Sequence, residues 1–95
     1  MTGHFATAGA GHDAGTLYVI VREEDGYVYL SDGRLRTMQH PKKKNCKHIQ
    51  IIRETVDADI LERLLNREDV FDHEIKYAIK KYHQVCEFEE NMRNS

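Results

Sequence analysis

Thr16-Leu17-Tyr18-Val19-Ile20-Val21-Arg22-Glu23-Glu24-Asp25-Gly26-Tyr27-Val28-Tyr29-Leu30 decides the class of fold. Its first six residues are dominated by β-branched and aromatic side chains, the composition of a strand. Glu23, Glu24, Asp25 and Gly26 make a polar turn. The Asp-Gly pair marks a hairpin, because both central residues of a tight β-hairpin turn need positive φ. Residues 27–30 return as the second strand.

Working outward, residues 5–8 read as a short first strand. Gly9, Gly11 and Gly15 fall within seven positions and read as a tight turn. A phosphate-binding loop would open a helix here, but a strand follows. The His12-Asp13 pair would need further metal ligands on a helical scaffold to act on phosphoesters. Downstream, Ser31-Asp32-Gly33 is another turn. Residues 34–38 alternate basic and apolar, which predicts a strand with Arg34, Arg36 and Met38 on one side. Leu35 and Thr37 take the other side, with Leu35 inward. Pro41 ends that strand because it cannot donate to a ladder. Residues 42–47 read as a loop, and 48–52 as a last strand. Five short strands at this spacing predict a small antiparallel barrel.

The periodicity changes at Glu54. Asp57 is suited to cap a helix that carries Ile60, Leu61, Leu64 and Leu65 to about Asn66. Asp72 can cap a second helix with Ile75, Ala78, Ile79, Tyr82, Val85 and Cys86 on its inner stripe. Lys76, Lys80 and Lys81 are expected to face solvent, and the chain to fray beyond Phe88. The fold class is therefore mainly β with C-terminal α. Residues 1–53 are expected to form the barrel domain and residues 54–95 a helical C-terminal extension.

Charge is divided unevenly. The net charge is −2, but Arg34, Arg36, Lys42, Lys43, Lys44, Lys47 and Arg53 form an acid-free run holding half of the 14 basic residues. Like charges repel, and exposed cations stabilise a fold little. Such a run is useful when a polyanion sits against it. Residues 54–95 hold 11 acids against 6 bases, so any such contact is local to one face. Two cysteines, no signal-like N-terminus and no long apolar stretch lead us to expect a cytoplasmic protein.

Several motifs together resemble a known family. Ala10-Gly11-His12-Asp13-Ala14-Gly15 before a β-branched strand resembles the KOW motif. Asp32-Gly33-Arg34-Leu35-Arg36, then Pro41-Lys42-Lys43-Lys44, then Lys47-His48, are similar to the bacterial KOW-domain RNA-binding proteins. That group is related to a KOW-type large-subunit ribosomal protein of archaea and eukaryotes. The segment from Glu74 to Ile79 fits the family's helical tail, and the likeness covers roughly residues 3–83. The resemblance implies a five-stranded SH3-like barrel followed by two helices, binding structured RNA, above all ribosomal RNA. Gly15 takes the place of the motif's glycine, and Gly11, Asp13 and Gly15 are expected to be structural. His12 and Ala14 stand where the family usually has cations, which shifts RNA contact onto residues 34–48.

The expected RNA-binding residues are Arg34, Arg36, Lys42, Lys43, Lys44, Lys47 and His48. Two arginines on one strand would suit two phosphates, and a lysine loop would neutralise others. Tyr27 and Tyr29 fit cross-strand packing better than base stacking. His40, Cys46, His48 and Cys86 lack the paired spacing of zinc ligands. No metal or other cofactor and no catalytic set is expected, so the chain reads as a non-enzyme. Its partners would be RNA, the ribosome or a translation factor, with no membrane. The alternative is an SH3-like interaction module whose cations meet an acidic protein.

Overall fold

The computed structural model describes residues 1–8 and 16–93, with side chains as far as Glu87. The glycine turn carrying Gly11, Asp13 and Gly15 lies outside the described residues. The elements are β1 (His4–Ala8), β2 (Leu17–Glu24), β3 (Tyr27–Ser31), β4 (Lys42–Asn45), a 3-10 turn (Cys46–His48), β5 (Ile49–Thr55), α1 (Ala58–Leu65) and α2 (Asp72–Arg93).

The strands form one antiparallel sheet in the order β4-β3-β2-β1-β5. The β2–β3 hairpin turns where Asp25-Gly26 requires it, with φ of 51° and 81°. β2 is buried from Leu17 to Val21, on both faces, which explains its uninterrupted apolar run. On one face Phe5, Leu17, Val19 and Val21 meet Val56, Ile60, Leu64, Val70, Ile75 and Ala78. On the other, Ala6, Ala8, Tyr18, Ile20, Val28 and Leu30 form a second cluster, edged by Cys46 and Ile49. Irregular registers between His4 and Ala6 and between Ile20 and Arg22 locally bend β1 and β2. The sheet does not close, because β4 pairs only with β3 and β5 only with β1 among the described residues. The helices share a core with the sheet.

Four expectations about the elements are corrected. Residues 34–38 form no strand. The predicted lysine loop is instead β4, paired from Leu30↔Lys42 to Tyr27↔Asn45. Pro41 thus precedes an edge strand, where its missing N–H costs no central ladder bond. Two stripe residues lie outside: Leu65, 61% exposed because Ile60 and Leu64 fill the α1 contact with the sheet, and Val85 of α2, 48% exposed. α2 does not end near Phe88 but runs to Arg93, through residues with no proline or glycine to stop it.

The two predicted caps also work differently. Asp57 precedes α1 but makes no side-chain cap bond, and its carboxylate instead accepts from Lys81 Nζ at 3.1 Å. Phe71 caps α2: its carbonyl accepts from Glu74 N–H, and its own N–H donates to Glu74 Oε2 at 2.9 Å. Asp72 is left to accept from the Met38 N–H at 2.7 Å, tying the 31–38 segment to α2.

Arg63 joins the two helices. Its guanidinium donates to both carboxylate oxygens of Glu74, to Asp59 and to the Asp69 carbonyl. The Arg63 hydrogen bonds, and then the Phe71 N–H, hold the Glu74 carboxyl down at about 2 from the ordinary 4.5. A depressed folded pKa means this stabilisation is complete above the ordinary value and fades as pH falls towards 2. Glu74→Gln is expected to be less stable than wild type at neutral pH. The gap should narrow as the medium is acidified to about pH 3. Paired thermal melts check it, and a constant gap would remove Glu74 as the cause.

Candidate nucleic-acid interface

The turn carrying the arginines is built by a serine and an aspartate. Buried Ser31 donates its hydroxyl to the Arg36 carbonyl at 2.8 Å. The N–H groups of Asp32 and Gly33 donate to the same carbonyl, at 3.0 and 3.2 Å. Asp32 Oδ1 accepts from the N–H groups of Arg34 and Arg36, each at 2.9 Å. An aspartate that captures backbone donors offers the chain an alternative to a ladder, which is why the alternating pattern fails here. Arg34 and Arg36 are exposed on this turn, and Leu35, expected inward, is 89% exposed at its tip.

Gly33, at φ 73°, lets the turn press onto α2. A Cβ there would overlap the backbone carbonyl oxygen of Asp72 and sit 3.0 Å from the Lys76 nitrogen. The turn follows directly on the Leu30↔Lys42 pair, so the arginines stand at one end of β4. At its other end, Cys46 N–H donates to the Gly26 carbonyl at 3.0 Å and Asn45 accepts from the Lys47 N–H at 3.0 Å. That 3-10 turn leaves Lys47 and His48 exposed.

Strand alternation splits the three lysines of β4. Lys42 and Lys44 share the face of Leu30 and Val28, whereas Lys43 lies on the face of Tyr29 and Tyr27. The Lys43 ammonium is 4.6 Å from the Tyr27 ring centre, a cation–π contact. Partial burial, and then the neighbouring Lys44 charge, push the Lys42 amine down from its ordinary value. Tyr29 packs on the core and Tyr27 is 39% exposed. The Tyr18 hydroxyl is pushed up by burial and then by the Asp32 carboxylate, against the opposing charge of Arg36. Arg53 stands apart on β5, at the opposite edge of the sheet.

The structure thus strings Arg34, Arg36, Lys42, Lys44, Lys47 and His48 along the β4 edge and its two flanking turns, with Lys43 on the reverse of the strand. Among the described residues, no carboxylate lies at ion-pair distance from Arg34, Arg36, Lys43, Lys44 or Lys47. In the helical half Asp59 and Glu74 pair with Arg63, and Asp57 with Lys81. No three His, Cys, Asp or Glu side chains gather at metal-binding spacing among the described residues. No helix there is long and apolar enough to cross a membrane.

Sequence reading missed a second group of cations. Arg34 lines an open groove with Lys76, Lys80 and His83 of α2. The i, i+4 spacing of the lysines was visible, but their approach to Arg34 depends on how α2 docks. The chain matches no protein-family model and no curated protein.

Proposed function

We propose that the chain is a non-catalytic KOW-type RNA-binding protein that contacts structured RNA, ribosomal RNA first, in translation or ribosome function. The observation that carries it is the row of cations along β4 and its flanking turns, held in place by backbone hydrogen bonds and without acid partners at Arg34, Arg36, Lys44 and Lys47 among the described residues. Cations held unneutralised in the folded state gain most from a polyphosphate, whose condensed counterions they release. The strand order β4-β3-β2-β1-β5, with a 3-10 turn between the two edge strands, supports the SH3-like topology expected of that family, here in an open sheet.

Charge reversal of Lys43, Lys44 and Lys47 together tests the edge. RNA affinity should fall by on the order of tenfold or more at moderate salt. The slope of log affinity against log salt should lessen by roughly two to three. An unchanged salt titration would remove β4 from the interface. The second reading, an interaction module for an acidic protein, draws on Leu35. An apolar tip between two arginines also suits a protein groove. Ribonuclease treatment during affinity capture separates the two: ribosomal particles lost on treatment favour RNA, and a surviving protein partner favours the alternative.

A further inference from the structure

The lysines of α2 were expected to do no more than face solvent. Lys76 and Lys80 lie one helical turn apart, about 6 Å along the axis. They flank an open groove of about 720 Å³ between α2 and the arginine turn, and Arg34 forms part of its other wall. Like charges at this helical spacing repel, and here a third cation is brought beside them. Among the described residues, no carboxylate lies at ion-pair distance from Lys76 or Lys80. The acid one turn before Lys76 is Asp72, whose Oδ1 is engaged by the Met38 N–H. One turn after Lys80 stands the uncharged Gln84. Two carboxylates also line the groove, Asp32, which accepts from the N–H groups of Arg34 and Arg36 and keeps its charge, and Glu87, almost two turns beyond Lys80, so the three cations exceed the acids by one.

Tyr77 stands in the same groove with its side chain 62% exposed. On its other side the ring borders Asp57, Asp59 and Glu74. On the groove side, an exposed ring beside lysines has the composition of a nucleic-acid platform, in which a base stacks while the lysines hold the backbone. The groove shares Arg34 with the arginine turn at the end of β4. Its occupant is therefore best assigned as the same molecule.

We infer that the groove between the arginine turn and α2 is a second contact site for the RNA, in which Lys76, Lys80 and Arg34 hold phosphates and Tyr77 stacks on an unpaired base. This rests on the RNA-binding reading above. It extends the footprint from one sheet edge onto the helical half, so that both halves of the chain grip one strand path.

Fluorescence anisotropy with sheared ribosomal RNA, over a salt series on the full-length chain, tests it. Lys76→Gln combined with Lys80→Gln should weaken binding on the order of tenfold and lower the salt slope by up to about two. Arginine at both positions should restore the slope. Tyr77→Ala should weaken binding with little change in slope, because stacking releases no counterions. In the wild type, ultraviolet crosslinking should place RNA on the peptide containing Tyr77, a readout independent of how any variant folds. If the double glutamine variant binds like wild type while reversal of Lys43, Lys44 and Lys47 abolishes binding, the groove site is wrong and the RNA reading stands. The groove site is equally wrong if that variant loses only a ribonuclease-resistant protein partner. If the wild-type chain binds no ribosomal RNA, both fall.

Discussion

Ile75→Ala is expected to destabilise the protein by about 2–5 kcal/mol, through lost burial plus the cavity left behind. Ile75 is wholly buried in the cluster where α2 meets Phe5, Leu17 and Val19 of the sheet. It sits in the first turn and a half of α2, between the Phe71 cap and Ala78, where the helix cannot move inward to fill a void. Partial collapse is prevented because the Arg63–Glu74 pair and the Asp72–Met38 bond both hold this end of α2. A domain of this length has on the order of 5–14 kcal/mol in all, so the loss is a large fraction of the total. Urea unfolding measures it as a lowered midpoint at unchanged slope. Leu65→Ala, on the exposed side of α1, is the control and should stay within about 0.5 kcal/mol. Equal losses at the two positions would mean that the helices do not share the sheet's core.

Gly33→Ala is the second large effect, and Gly26→Ala separates its causes. Both glycines have positive φ, 73° and 81°, so each substitution incurs the left-handed backbone penalty of about 1–2 kcal/mol. At Gly26 the new methyl meets no atom within 4 Å. At Gly33 it overlaps the Asp72 carbonyl, and backbone cannot rotate away as a side chain can. The arginine turn must lift from α2, loosening the Met38 N–H bond to Asp72. Gly33→Ala should therefore cost about 1–3 kcal/mol more than Gly26→Ala in matched thermal melts. On the proposed RNA-binding reading it should also weaken RNA affinity by parting Arg34 from Lys76, which Gly26→Ala should not do. Equal melting temperatures for the two variants would show that the turn does not press on the helix.

Much of this molecule was legible in its residues because the deciding forces are local. The Asp25-Gly26 turn follows from backbone sterics at two positions. The strand at residues 17–21 follows from apolar side chains on both faces, and the helical stripes follow from a 3.6-residue period. The cations were visible as a composition, and so was their lack of neighbouring acids. Their arrangement was not. Arg34-Leu35-Arg36 spells a strand, but the Asp32 carboxylate and the Ser31 hydroxyl gather the segment's hydrogen bonds into a turn. Register with β3 then decides that Lys42 and Lys44 share a face and Lys43 does not. The groove joining Arg34 to Lys76 and Lys80 depends on a glycine at 33 lying against a helix start at 72. Sequence patterns record what each residue prefers among its near neighbours. Which distant backbone a turn meets is chosen by packing of the whole core, and that choice placed the cations.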